Sequence, residues 1–188
     1  MPMLATPRQA KRIDSEYYVE GYATTFDDPY LLYEFDGIKC YEIIDRNALD
    51  GADISDVIMQ YDHSGRVRAR TANGTLGIEP DERGLFTYAD LAKSSAAKEL
   101  YEDIASGLIN KMSWAFTVAD EDYDQKTHTR TIKRIKKIYD VSAVSIPANN
   151  GTDIYARSYF DGLIEAERRE ASERLKLAKA KYYYGGIK

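Results

Sequence analysis

The sequence predicts an α+β domain, a mainly antiparallel sheet with flanking helices, followed by a charged C-terminal helix. Three observations lead there. Runs rich in β-branched and aromatic residues recur between Tyr17 and Asn149, bounded by Asp, Gly, Pro and Asn turn signals. One intervening segment has helical period. The stretch from Leu163 to Tyr182 interleaves opposite charges around a narrow apolar stripe of Ile164, Ala171, Leu175 and Ala178. With 188 residues, 44% of them hydrophobic, the chain supports one domain that buries about 70% of its unfolded surface. The expected boundaries are an N-terminal arm over 1–16, the main domain over 17–153, and a charged helix with a tail over 154–188.

Taken in order, the first strand is Tyr17 to Phe26, closed by Asp27-Asp28-Pro29. Lys39 to Arg46 is the second, and Asn47 to Asp53 is a turn or short helix leading on. Val57 to Tyr61 forms the third strand and delivers Asp62-His63-Ser64-Gly65 at its end, where residues are held by the sheet yet accessible. Thr71 to Glu79 and Gly84 to Leu91 read as antiparallel strands joined through Pro80-Asp-Glu-Arg83. Ser94 or Ser95 caps the clearest helix, Ala97, Leu100, Tyr101 and Ile104 form its apolar stripe, and Gly107 supplies the stop.

That helix feeds a strand in which Met112, Trp114, Phe116 and Val118 point one way and Lys111, Ser113, Ala115 and Thr117 the other. The large face should pack and the small face stay open. A polar hairpin, Asp120 to His128, separates it from Thr129 to Tyr139, a strand with one solvated face that continues into Asp140 to Asn149.

The charge balance, 26 basic against 31 acidic residues for a net −5, contains no basic block, so nucleic acid is not an expected partner. Cys40, the single cysteine, excludes an internal disulfide framework and a multi-cysteine zinc site. No His-Glu-x-x-His motif occurs, and neither a metal nor any other cofactor is expected. The start lacks an apolar leader, and no run of ~18 apolar residues could span a membrane. The expectation is a soluble protein with no membrane partner. Sixteen tyrosines suit half-buried sheet surfaces and interfaces.

Ser113, on a rigid strand among small neighbours, is placed to be a nucleophile, although an ordinary half-buried strand looks the same. A serine hydroxyl is a poor nucleophile until an imidazole takes its proton and a third group orients the ring. The histidines are His63 and His128, at a strand end and in a polar hairpin. Asp140, between Tyr139 and Val141, is the carboxylate best held in place. Individually, His63 also reads as a core-edge histidine and Asp140 as a strand-end acceptor.

Five blocks then carry a family resemblance: Gly21-Tyr-Ala-Thr-Thr-Phe26; Val57-Ile-Met-Gln-Tyr-Asp-His63; Gly74-Thr-Leu through Glu82-Arg-Gly-Leu85; Gly107-Leu-Ile-Asn-Lys-Met-Ser-Trp-Ala-Phe116; and Asp140-Val-Ser-Ala-Val-Ser-Ile-Pro-Ala-Asn149. In order and spacing they resemble the prohead proteases of tailed bacteriophages, capsid-maturation serine proteases similar in fold to herpesvirus assemblin. The resemblance implies a barrel-like sheet, Ser113 as nucleophile, His63 as general base and Asp140 as third member. Family members usually carry glutamate at that last position, so the shorter aspartate would have to approach by about one methylene. They also commonly have Phe-Gly where this chain has Trp114-Ala115. Assemblins use a second histidine instead, for which His128 is poorly positioned.

The implied substrates are the scaffolding segment of the major capsid protein and the protease itself, cut inside the prohead in the host cytoplasm. Self-association into a dimer or a higher assembly, through the tyrosines and the terminal helix, is a further implication. For an oxyanion hole the candidates are backbone N–H groups with one of Arg66, Arg68 or Arg70. The competing reading is a catalytically silent capsid-assembly or scaffold module on the same fold. An esterase-like hydrolase is disfavoured by the absence of Gly-x-Ser-x-Gly around Ser113.

Overall fold

A computed structural model describes residues 11–145 together with Arg169, Ser172 and Glu173. Along these residues run β1 (Tyr18–Thr25), β2 (Tyr30–Phe35), β3 (Ile38–Ile44), β4 (Ile58–Tyr61), β5 (Ser64–Arg70), a 3-10 turn (Thr71–Asn73), β6 (Leu76–Pro80), β7 (Gly84–Asp90), α1 (Ser95–Ala105), β8 (Lys111–Asp124) and β9 (Thr129–Val144).

Two sheets result. The smaller has the order β1-β7-β6 and is antiparallel throughout. The larger is organised on β9. Along one edge β9 pairs antiparallel with β8, from Lys111 opposite Val144 to Asp124 opposite Thr129. Its other edge is shared by two parallel partners at different heights, β3 beside Thr129 to Ile132 and β4 beside Asp140 to Ala143. Outside these, β2 pairs with β3 and β5 with β4.

The barrel-like, mainly antiparallel sheet with several flanking helices is therefore corrected. The larger sheet is mixed, no strand of one sheet pairs with a strand of the other, and α1 is the one α-helix among residues 11–145. The sheet stays open because β2, β5 and β8 each pair with one strand only, so their outer edges meet no partner strand that would close the ring. The expected C-terminal helix lies outside the described residues except for Arg169, Ser172 and Glu173, which are helical and exposed.

Between the sheets lies the main core. Ala23, Leu76, Leu85 and Ala89 come from the smaller sheet, Phe26 from just after β1, and Ile44, Met59, Ala69, Trp114, Ile132 and Val141 from the larger. A separate cluster of Leu32, Tyr33 and Cys40 sits under the β2–β3 hairpin. The helix behaves as its sequence requires: the Ser94 hydroxyl accepts the Ala97 N–H at 3.1 Å, and Gly107, at φ +80°, ends it. Ala96, Ala97 and Leu100 form its buried stripe. Leu100→Ala should cost about 2–5 kcal/mol in urea unfolding; a loss below ~1 kcal/mol would mean that the helix is not docked on the core.

Candidate active site

Residues paired across neighbouring strands point to the same face of a sheet. Trp114 opposite Val141, and Met59 opposite Ala69, face the core. One residue along, Ser113 opposite Ser142, and Gln60 beside them, face the other way, as does Asp140 opposite Ala115. The expectation that the large side chains of β8 pack is met by Trp114, which is 4% exposed. The small face is not open, however: Ser113 and Ser142 are both 0% exposed. β4 and β5 extend the same sheet beside β9, and the turn between them carries His63 to this face.

That turn is tight. Asp62 (φ +48°) and His63 (φ +54°) occupy its two central positions, both in the left-handed region, as a two-residue type I′ hairpin demands. Neither is glycine, and such residues cost on the order of 1 kcal/mol or more each. Hydrogen bonds hold the conformation: Asp62 accepts the Ser145 N–H at 2.8 Å and its hydroxyl at 2.6 Å, and Gln60 Nε2 donates to the Gly65 carbonyl at 2.9 Å. So anchored, the turn places His63 Nδ1 2.7 Å from Asp140 Oδ1. The aspartate reaches the ring without the extra methylene. Ser142 donates its hydroxyl to the same Asp140 oxygen at 2.6 Å and accepts the Gln60 N–H at 3.3 Å.

An imidazole whose Nδ1–H is held by a carboxylate presents its Nε2 lone pair as a base. His63 Nε2 is buried with no hydrogen-bond partner, and so is Ser113 Oγ. The structure thus brings His63 and Asp140 together, and puts Ser113 on the same face without a hydrogen bond to His63. His128 lies in the β8–β9 turn at the far end of that hairpin, 2.9 Å from the Tyr123 hydroxyl. Of the three arginines after His63, Arg70 is paired with Asp56 and Arg66 is exposed, while Arg68 has Nε and Nη1 buried without partners. Among the described residues no group of three or more His, Cys, Asp and Glu side chains could hold a metal ion, and no helix is long and apolar enough to cross a membrane.

Ser142, Asp62 and Ser145 were not singled out from the sequence. Ser142 had a usable signal, because two residues from Asp140 on a strand is the same face. Nothing local announces that Ser145 reaches Asp62, 83 residues earlier.

Burial opposes ionisation of Asp62, but the hydrogen bonds from Ser145 outweigh it and hold the carboxyl below its usual value. A depressed native value means stabilisation that is present above the unfolded-state pKa, near 3.9, and lost as pH falls through the lower native one. Asp62→Asn should therefore lower Tm at neutral pH, and the gap should close in strong acid. A gap independent of pH would show that the carboxylate charge is irrelevant to the anchor.

Comparison with known proteins adds three findings. The sequence profile described as caudovirus prohead serine protease matches residues 6–162. The prohead protease of Enterobacteria phage HK97 is 32% identical over 87 residues, a stretch covering 46% of this chain and 39% of that protein. No solved structure matches the chain.

Proposed function

The chain belongs to the caudovirus prohead serine protease family, and we propose from this that it hydrolyses peptide bonds through an acyl-enzyme on Ser113, with His63 as general base and Asp140 orienting the ring. The observation that most supports this is the 2.7 Å contact between His63 Nδ1 and Asp140 Oδ1, which leaves Nε2 unpartnered on the face that carries Ser113. Ser113 Oγ attacks the scissile carbonyl carbon as its proton passes to His63 Nε2. The imidazolium, stabilised by Asp140, then protonates the leaving amine as the C–N bond breaks. Water, deprotonated by the same nitrogen, releases the acyl group. Ser113 and His63 must close to hydrogen-bond distance when substrate binds, a tightening common in enzymes whose free form holds these groups apart.

In this reading the substrates are the scaffolding segment of the major capsid protein and the protease itself, and the place of action is the interior of the prohead. Self-association belongs to the same proposal; full activity of a monomer at low concentration would remove it. The second reading, a silent assembly module, draws on the missing Ser113–His63 hydrogen bond.

A fluorophosphonate, which phosphonylates only activated serines, separates the two. The expected result is a single adduct mapped to Ser113, lost in His63→Ala. No adduct on wild type, with or without coat protein, would favour the silent module.

Ser142 positions Asp140 and touches no reacting atom. Ser142→Ala should lower kcat by about tenfold with KM unchanged. A change in KM alone would place its role in substrate binding.

A further inference from the structure

β5 pairs with β4 through Ile58 with Arg70 and Met59 with Ala69 before the register shifts between Met59 and Tyr61, and on the next strands Ser142 is paired with Ser113. Arg68, next to Ala69, is therefore on the same face as Gln60, Ser142 and Ser113, the face opposite Ala69, Met59, Val141 and Trp114. Arg68 is a half-buried residue, and its Nε and Nη1 are buried without a hydrogen-bond partner. A guanidinium does not lose its charge at any physiological pH. Buried donors that are both charged and unpaired are costly. Its neighbours on the strand show the contrast: Arg70 forms two bonds to Asp56, at 2.6 and 2.5 Å, and Arg66 is solvated.

Resting on the proposed role of Ser113, we infer that Arg68 is a specificity residue that binds an acidic side chain of the substrate. Distance decides between this and an oxyanion donor. Three strand spacings, about 14 Å, separate the strands of Arg68 and Ser113, and an oxyanion on the carbon bound to Ser113 Oγ would be met only if both side chains lay flat along the sheet, whereas strand side chains stand roughly perpendicular to it. An extended peptide advances about 3.4 Å per residue. A glutamate or aspartate two to four residues from the scissile bond thus comes within reach of Arg68 when the carbonyl lies over Ser113. A carboxylate also matches the planar fork of guanidinium donors, and its charge compensates the one that burial leaves unpaired.

The test is a proteome-derived peptide library incubated with wild type, Arg68→Gln, Arg68→Lys and Ser113→Ala, with new termini read by mass spectrometry. Expected are Ser113-dependent cuts enriched in Asp or Glu at one position two to four residues from the bond. Matched synthetic peptides should then show about a tenfold or greater preference for Glu over Gln in kcat/KM. Arg68→Gln should abolish that preference while still cutting, and Arg68→Lys should keep part of it, which a merely structural role would not produce. Ser113-dependent cuts without acidic enrichment, or enrichment that survives Arg68→Gln, would overturn the Arg68 site and leave Ser113 standing. Absence of any Ser113-dependent cut would overturn the nucleophile and the subsite together.

Discussion

Replacing Ser113 with alanine is expected to lower peptide hydrolysis by roughly a million-fold, the scale on which a catalytic serine fails when it is the nucleophile. The substitution should be structurally benign. Ser113 Oγ is fully buried and satisfies no hydrogen bond, so removing it deletes an unpaired polar group and should leave Tm unchanged or slightly raised. A structural serine predicts the opposite pair of results, lost stability with retained activity. Intact mass over time, for wild type and Ser113→Ala mixed with precursor coat protein, reads the activity. Equal fragmentation by both would mean that Ser113 is the wrong nucleophile.

Asp140→Asn is expected to cost about 10⁴ in kcat, because an amide facing Nδ1 favours the ring tautomer that puts the proton on Nε2, where the base must be free. The carboxylate accepts from both His63 Nδ1 and the Ser142 hydroxyl at one oxygen, Oδ1. With the amide nitrogen in that place its two N–H groups face Nδ1 and Ser142 Oγ, and the serine hydroxyl can turn to accept, so the fold should survive and the loss should fall on the chemical step. Single-turnover kinetics on a peptide cut by the wild type checks this. A loss smaller than tenfold would remove Asp140 from the mechanism and leave it a structural acceptor.

Much of the sheet was legible because its strands are dense in Val, Ile, Tyr and Thr and are bounded by polar turn segments such as Asp27-Asp28-Pro29 and Pro80-Asp-Glu-Arg83. β1, β3, β4, β7 and α1 lie within a residue or two of their expected places. Two strands went unread for opposite reasons. β2, Tyr30–Phe35, sits between Pro29 and Asp36-Gly37 and carries the aromatic signal plainly. β5, Ser64–Arg70, alternates Arg66, Arg68 and Arg70 with Val67 and Ala69, but only Ala69 of that side is buried, too little apolar surface to announce a core-facing strand, and as an edge strand it tolerates the charges. Sheet closure could not be read from period, because period reports which face is buried and not which strands share an edge. The approach of His63 to Asp140 across 77 residues depends on β4 lying parallel to β9, a pairing that no local pattern specifies. The family resemblance supplied what the local pattern could not.

The place of β9, last in sequence among the described strands, has a consequence for synthesis. β9 is the common partner of β3, β4 and β8, and its C-terminal half carries Asp140. Until residues 129–144 leave the ribosome, β4 lacks its neighbour on that side, His63 has no carboxylate, and β8 has no strand to pair with. Such long-range pairings form late, since chain closure must precede them. On the proposed mechanism a nascent chain therefore carries Ser113 before the His63–Asp140 pair can form, and that pair arrives only with β9.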